Sequence, residues 1–312
     1  MVRAVWLVVV LLAGILIATP AQGQPPPAPR LAAPPDCLTN PNCGPGLERV
    51  YGVDVTSVFV PLTVADAGIS ALDDGVAEVA VAFSTDPEAS RPDVLTLRDD
   101  RRLVGPDPIV PVLRAKLLRA YGPADARRIH RRLNAASAVL TTRAIRGLNQ
   151  QVGDGRLPEA VGGEFIDANA LGGSMRRRSG PRIVVGFQDF SENETLAYMY
   201  AEALRSAGYR VAVRPVGGLR VAALRALRSG RIALYPGYEG SLLEHLTGTR
   251  VRSRVRLTAA LRRALRRRGA RAARPAPGQN RNLFVTKADT ARRLGIATLS
   301  DLAGYWPAAG RG

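Results

Sequence analysis

Residues 182–246 read RIVVGFQDFSENETLAYMYAEALRSAGYRVAVRPVGGLRVAALRALRSGRIALYPGYEGSLLEHL. Ile183 to Val185 is a short apolar run before a turn signal, the pattern of a buried parallel strand. Ser191 and Glu194 form a Ser-x-x-Glu capping box, which predicts a helix starting there. Leu196, Tyr200, Ala203, Leu204 and Ala207 recur at helical spacing, and Gly208 is placed to close the helix. Val211 to Val216 reads as the next strand. Leu219 to Arg228 reads as the next helix, closed by Gly230, and the Ala233-Leu234-Tyr235-Pro236 run follows as a third strand. The order is βαβαβ, the core of a doubly wound α/β lobe, in which ligands sit beyond the carboxyl ends of the strands. The loops Phe187–Ser191 and Tyr235–Ser241 occupy that position.

These residues carry a resemblance. Gly186, Phe190, Ser191 and Glu192 resemble the Gly-Ser-Lys-x-Phe-Thr-Glu end of the first strand in glycine betaine/choline-type substrate-binding proteins of ABC importers. Ala226-Leu227, Gly230, Ile232, Leu234-Tyr235-Pro236, Tyr238, Gly240 and Ser241 are similar to a later signature of that family. The two matches stand in the right order and on the right elements.

The rest of the chain resembles the same family in an altered order. Cys37 to Tyr51 is similar to the start of the family's second lobe, where a Cys-bracketed loop precedes Pro-Gly-Leu and Tyr-Gly. Val53–Leu62, Val76–Phe83 and Val94–Asp100 read as strands, and Ala65–Asp74 as a helix. Ala71-Leu72, Gly75 and Phe83-Ser84-Thr85-Asp86 repeat the unit seen at Ala226–Tyr238. Ile109–Arg114 resembles the strand that crosses back to the first lobe. Leu113–Ala120, Pro123–Leu133 and Thr141–Val152 read as helices, the last of them among the family's closing helices. Ala170–Gly180 is then a linker, and the family's beginning appears at Arg182. Leu257–Arg268 is an amphipathic helix with Leu257, Leu261, Ala264 and Leu265 on one face. Asn282–Thr286 resembles the outward crossing strand. The resemblance therefore implies a circularly permuted, two-lobed, type II periplasmic-binding-protein-like α/β fold. Lobe 2 is expected from residues 31–106 plus 286–303, and lobe 1 from 107–285, with 170–180 joining the old termini. Such a rearrangement is tolerated where termini lie close at the surface.

Composition bounds the rest. The 312 residues are 46% hydrophobic, enough for two modest cores. Residues 1–23 read as a secretory signal: Arg3, an apolar run from Val5 to Ile17 too short to span a bilayer comfortably, then small residues at Thr19–Gly23. An uncleaved anchor is the other reading. Residues 24–35 are proline-rich and read as an extended tether. An extracytoplasmic chain, in the periplasm or on the outer face of the membrane, follows. There the only two cysteines, Cys37 and Cys43, are expected to pair. His130 and His245 lack ligand spacing, so no metal and no cofactor are expected.

Net charge is +18, nearly all from arginine. The clusters Arg262–Arg268 and Arg176–Arg178 lack interleaved aromatics, against a nucleic-acid role. They read as a solvated helix face and a solvated linker. No nucleophile with a neighbouring histidine and no Walker-type loop appears, so the chain is expected not to be an enzyme.

The family binds quaternary amines, which cannot donate hydrogen bonds and are held by aromatic faces. The resemblance points first to Tyr238, facing Phe83 across the cleft, with Gln188 and Asp86 at the rim. Phe187, Phe190, Tyr235, Thr85 and Asn40 complete the expected ligand set. Core packing is the competing reading of each aromatic. The sequence departs from the family at Gln188, Asn40, Asp107-Pro108 and Ile69. Two functions are thus expected. One is a monomeric receptor delivering a small quaternary amine to an ABC transporter permease. The alternative is a degenerate binding fold acting as a non-transport sensor or cell-surface interaction module.

Overall fold

The computed structural model describes residues 27–63, 67–173 and 176–310. The proposed signal segment lies outside these. In chain order the elements are β1 (Leu31–Ala33), α1 (Gly44–Tyr51), β2 (Phe59–Pro61), α2 (Gly68–Asp73), β3 (Val79–Phe83), β4 (Val94–Thr96) and β5 (Ile109–Arg114). Three helices follow, α3 (Ala115–Val139), α4 (Thr142–Gly153) and α5 (Pro158–Ala168). Next come β6 (Ile183–Phe187), α6 (Ser191–Arg205), β7 (Val211–Pro215), α7 (Arg220–Ser229), β8 (Leu234–Tyr238), α8 (Glu239–Thr247) and α9 (Arg254–Arg266). The chain closes through β9 (Ala270–Ala272), β10 (Asn282–Lys287), α10 (Ala288–Leu294) and α11 (Leu299–Ala303).

The strands form two five-stranded sheets, ordered β2-β1-β3-β10-β4 and β7-β6-β8-β5-β9. Both share one plan. Three strands run parallel, with β1 between β2 and β3 and β6 between β7 and β8. A fourth, β10 or β5, is antiparallel to its neighbours on both sides. That strand has crossed over from the other half of the chain. The sheet holding β1 is called lobe 2 here, and the sheet holding β6 lobe 1.

The sequence periodicities explain the cores. Leu196, Tyr200, Ala203, Leu204 and Ala207 are at most 1% exposed and pack with Ile183, Val185, Ile129 and Leu133. Leu257, Leu261, Ala264 and Leu265 bury the apolar face of α9 against the other side of the lobe 1 sheet. Full burial of each such leucine contributes about 1.5–3 kcal/mol. Gly230 closes α7 at φ 86°, a left-handed conformation that a side chain would strain.

Several local expectations shift. Leu31–Ala33, at the end of the proline-rich stretch, is a fully buried strand between β2 and β3 rather than tether. Only Phe59–Pro61 of the Val53–Leu62 run is strand, since Thr56–Val58 forms a 3-10 turn. β10 lies whole in the lobe 2 sheet, so the chain changes lobe before Asn282 rather than at residue 286. The helix at Ser191 forms without the expected capping box: its N-cap is Phe190, and no side-chain cap bond is made. The linker arginine Arg178 is not simply solvated. It pairs with Asp125 at 3.0 Å and lies over the Tyr209 ring at 5.8 Å.

Candidate functional site

The loop after β3 and the end of β8 are linked across the lobe junction by one polar network. Its centre is Glu192, in the first turn of α6 and 5% exposed. The Tyr238 hydroxyl, at the end of β8, donates to Glu192 Oε1 at 2.7 Å. Asn280 Nδ2, in the segment leading to β10, donates to the same oxygen at 2.9 Å. Asn149 Nδ2, on α4, donates to Glu192 Oε2 at 2.9 Å. The same Asn149 nitrogen donates to the Thr85 carbonyl of lobe 2 at 3.1 Å. A buried carboxylate is costly unless paired and hydrogen-bonded. Three donors from three elements offset that cost here.

Neighbouring bonds lock the frame. Asn193 Oδ1 accepts from the Gln188 backbone N–H at 2.8 Å, and Asn193 Nδ2 donates to the Pro236 carbonyl at 3.0 Å. Ser84 Oγ donates to the Gln279 carbonyl at 3.1 Å and accepts from the Arg281 N–H at 2.9 Å. Arg146 Nη2 donates to the Ser84 carbonyl at 2.7 Å. The β3 loop of lobe 2 is thus bonded directly to α4 of lobe 1 and to the crossing segment. Arg250 adds a second tie, donating to the Leu103 and Pro41 carbonyls.

Each expected site residue has a definite place. Tyr238 is 7% exposed, and its ring stacks on Phe190 with centroids 6.2 Å apart. The ring partner of Tyr238 is therefore Phe190 of its own lobe; Phe83 lies half-buried at the end of β3, in register with Asn282. Burial, then the adjacent Glu192 charge, pushes the Tyr238 hydroxyl well above its usual pKa. Gln188 is 7% exposed, and its Nε2 donates to the Gly218 carbonyl at 3.0 Å. Thr85 is fully buried, and its Oγ1 has no hydrogen-bond partner among the described residues. The Asp86 carboxylate accepts from the Phe83 N–H at 2.7 Å, which shapes the loop.

The remaining three stand away from this network. Tyr235 sits on the other face of β8, 1% exposed among Leu242, Leu257 and Leu261. Phe187 pairs with Tyr198, centroids 6.5 Å apart, in the lobe 1 core. Asn40 serves the turn of its own loop, accepting from the Asn42 N–H at 3.0 Å. That loop is closed by a Cys37–Cys43 disulfide.

Sequence reading did not pick out Glu192, Asn149, Asn193 and Asn280 as site residues. One available signal was the pair Glu192-Asn193 at the start of a helix whose apolar positions surround it. Asp107, one of the positions that depart from the family, caps α8: its Oδ1 accepts from the Gly240 and Ser241 N–H groups at 2.7 and 3.1 Å. Burial raises this carboxyl to about 6, against those donors and Arg220. Gly240 is required there, since a Cβ would stand 2.3 Å from the Pro106 carbonyl oxygen. Among the described residues, no cluster of His, Cys, Asp and Glu could hold a metal, and no helix is long and apolar enough to cross a membrane.

Comparison with known proteins adds a family. The model of the substrate-binding domain of the ABC-type glycine betaine transport system matches residues 18–168 and 181–311. No curated protein matches the chain. Among solved structures, the chain is similar to a phosphate-binding protein of a phosphate ABC transporter from Streptococcus pneumoniae. That match has 8% identity and TM-score 0.45, and covers 90% of this chain and 96% of that one. It is also similar to PhnD1 from Prochlorococcus marinus in complex with methylphosphonate, with 12% identity, TM-score 0.41, and 88% and 82% covered. The alkanesulfonate-binding protein SsuA from Xanthomonas axonopodis matches at 15% identity and TM-score 0.35, over 86% and 68% of the two chains.

Proposed function

The chain belongs to the family of substrate-binding domains of ABC-type glycine betaine transport systems, with a two-lobed, type II periplasmic-binding-protein-like α/β fold, and we propose that it captures a small quaternary ammonium compound of the glycine betaine, choline or carnitine class between its lobes. On this reading it acts outside the cytoplasmic membrane, as a monomer, and hands the ligand to a permease. The observation that carries it is the Glu192 carboxylate, 5% exposed, beside the stacked Phe190–Tyr238 rings at the lobe junction. A cation that cannot donate hydrogen bonds is attracted to ring faces and to a fixed negative charge. A quaternary ammonium has no N–H to donate, so the carboxylate acts on it through its charge rather than through a hydrogen bond.

A thermal-shift screen with choline, glycine betaine, carnitine and ectoine-like solutes tests the proposal. A ligand present at a hundred times its Kd stabilises the fold by about 2.7 kcal/mol. One observation favours a second reading: the lobes are tied to each other directly by hydrogen bonds among Thr85, Asn149, Glu192 and Asn280. No shift with any of these solutes would support a non-transport sensor or surface module instead.

We also infer a circular permutation. It is supported by the break in the family match at 169–180. The first and last described segments also meet in lobe 2, where Trp306 Nε1 donates to the Pro29 carbonyl at 2.8 Å and the Ala309 N–H to the Gly52 carbonyl at 2.9 Å. A chain with its described ends joined, beginning at Arg182 and ending before the 170–180 linker, should fold to the same thermal stability within a few degrees. Failure of that chain to fold would sink the inference.

A further inference from the structure

A second feature lies away from the lobe junction. The α8–α9 connection and the first turns of α9 enclose an open groove of about 570 Å³. Arg250, Arg252, Arg256 and Arg263 line it, and Ala259 and Ala260 between them leave its middle open. Only Arg250 is neutralised, by Glu244 at 3.4 Å. Arg252, Arg256 and Arg263 are exposed, and among the described residues none of their guanidinium groups has a hydrogen-bond or ion-pair partner. The first turn of α9 holds no acidic residue, so the positive end of the helix adds to the arginine field.

This concentration of like charge is unfavourable for the chain alone and favourable for an anion. A guanidinium presents a planar fork that matches phosphate oxygens. Arg256 and Arg263 stand seven positions apart on one helix, which is about 10 Å along its axis. A single phosphate does not bridge that distance, and a chain of phosphates does. No aromatic residue lines the groove, so nothing there stacks on a nucleobase.

We propose that this groove binds an extended anionic chain carrying two or more phosphate groups, laid along α9 with its phosphates on Arg252, Arg256 and Arg263. The site is independent of the quaternary-amine cleft.

The test is calorimetry on the full chain with short-chain inorganic polyphosphate, at several salt concentrations, with orthophosphate in parallel. Polyphosphate should bind, and orthophosphate about tenfold or more weaker, because only the chain engages separated arginines. The Arg256→Ala/Arg263→Ala variant should lose about tenfold or more, and its log–log salt slope should fall by about 2, one per phosphate contact removed. Neither side chain holds an internal bond, and their removal relieves like-charge repulsion, so the melting temperature without probe should not fall below that of the unaltered chain. The Arg143→Ala/Arg293→Ala variant removes the same charge from α4 and α10 and should bind polyphosphate as well as the unaltered chain. Equal losses in the two variants would reduce the effect to diffuse net charge and overturn the site. So would absence of polyphosphate binding. Binding to phosphatidylglycerol vesicles that depends on Arg256 and Arg263, without binding to polyphosphate, would make this a membrane-facing surface and also overturn the proposal.

Discussion

Glu192→Gln is the sharpest perturbation of the lobe junction, because it keeps shape while removing the charge and turning one acceptor into a donor. Glu192 Oε1 accepts from Tyr238 and Asn280, and Oε2 from Asn149. A glutamine carbonyl can replace Oε1 and keep two of these bonds. Its amide nitrogen then faces Asn149 Nδ2, donor against donor. Turning the Asn149 amide would relieve this by presenting Oδ1, which has no partner here. That turn takes Nδ2 away from the Thr85 carbonyl and cuts the tie between the lobes. Either way one buried polar group is left unsatisfied, at a cost of about 1–3 kcal/mol. A midpoint of about 2 kcal/mol is roughly a 30-fold change in the folded-to-unfolded ratio. It corresponds to a Tm lower by roughly 3 °C in a chain of this size, at about 2.1 cal/mol/K of unfolding entropy per residue. Urea denaturation of both proteins, monitored by two probes, measures it. Coincident unfolding curves would refute the reasoning, because they would mean that the carboxylate does not hold Asn149 in solution.

Other outcomes follow from the same geometry. Tyr238→Ala should weaken binding of a quaternary ammonium ligand about 30-fold, since a desolvated cation–π contact is worth about 2 kcal/mol. Tyr238→Phe should keep the affinity and lose stability instead, by about 1–2 kcal/mol, because the bond to Glu192 goes; calorimetry with choline or glycine betaine separates the two. Glu239 is fully buried, and among the described residues neither carboxyl oxygen has a hydrogen-bond partner. Burial raises it from 4.5 to about 7, with the Thr258 hydroxyl, Arg254 and Arg262 opposing and Asp107 adding to the rise. Folding therefore takes up a proton between those values: this stability is fully present below about pH 4.5 and is lost as pH rises through about 7. The loss is on the order of 3 kcal/mol, at 1.36 kcal/mol per unit. Glu239→Gln should be the more stable protein at pH 8 and show a flatter stability profile; parallel profiles would contradict the assignment. Reduction of Cys37–Cys43 should cost about 2 kcal/mol for so short a loop, and two free thiols in the mass spectrum of the exported protein would exclude the bond.

The elements were legible in the sequence because their causes are local. Apolar spacing marked the buried faces of α6 and α9, and the glycine at 230 marked a helix end. Those features depend only on a helical turn and a left-handed cap, which neighbouring residues decide. Tyr235 and Tyr238 were also separable in principle: three positions apart on one strand, their side chains point to opposite faces. The structure puts Tyr235 in the core and Tyr238 at the junction.

The site itself was not legible. Thr85, Asn149, Glu192, Tyr238 and Asn280 come from five elements or connections, and no spacing links them. Even the local signal at α6 misled: Ser191 and Glu194 fit a capping box, whereas Glu192 and Asn193 make the bonds that matter. Their partners are remote in sequence: a tyrosine 46 positions away and an asparagine 88 positions away take the carboxylate at Glu192. The sequence by itself determined the strands and helices of the 182–246 stretch and the buried sides of α6 and α9. Only the tertiary structure decided that one buried carboxylate would tie the two lobes together, because the donors that make its burial affordable are brought to it by the crossing of the chain between sheets.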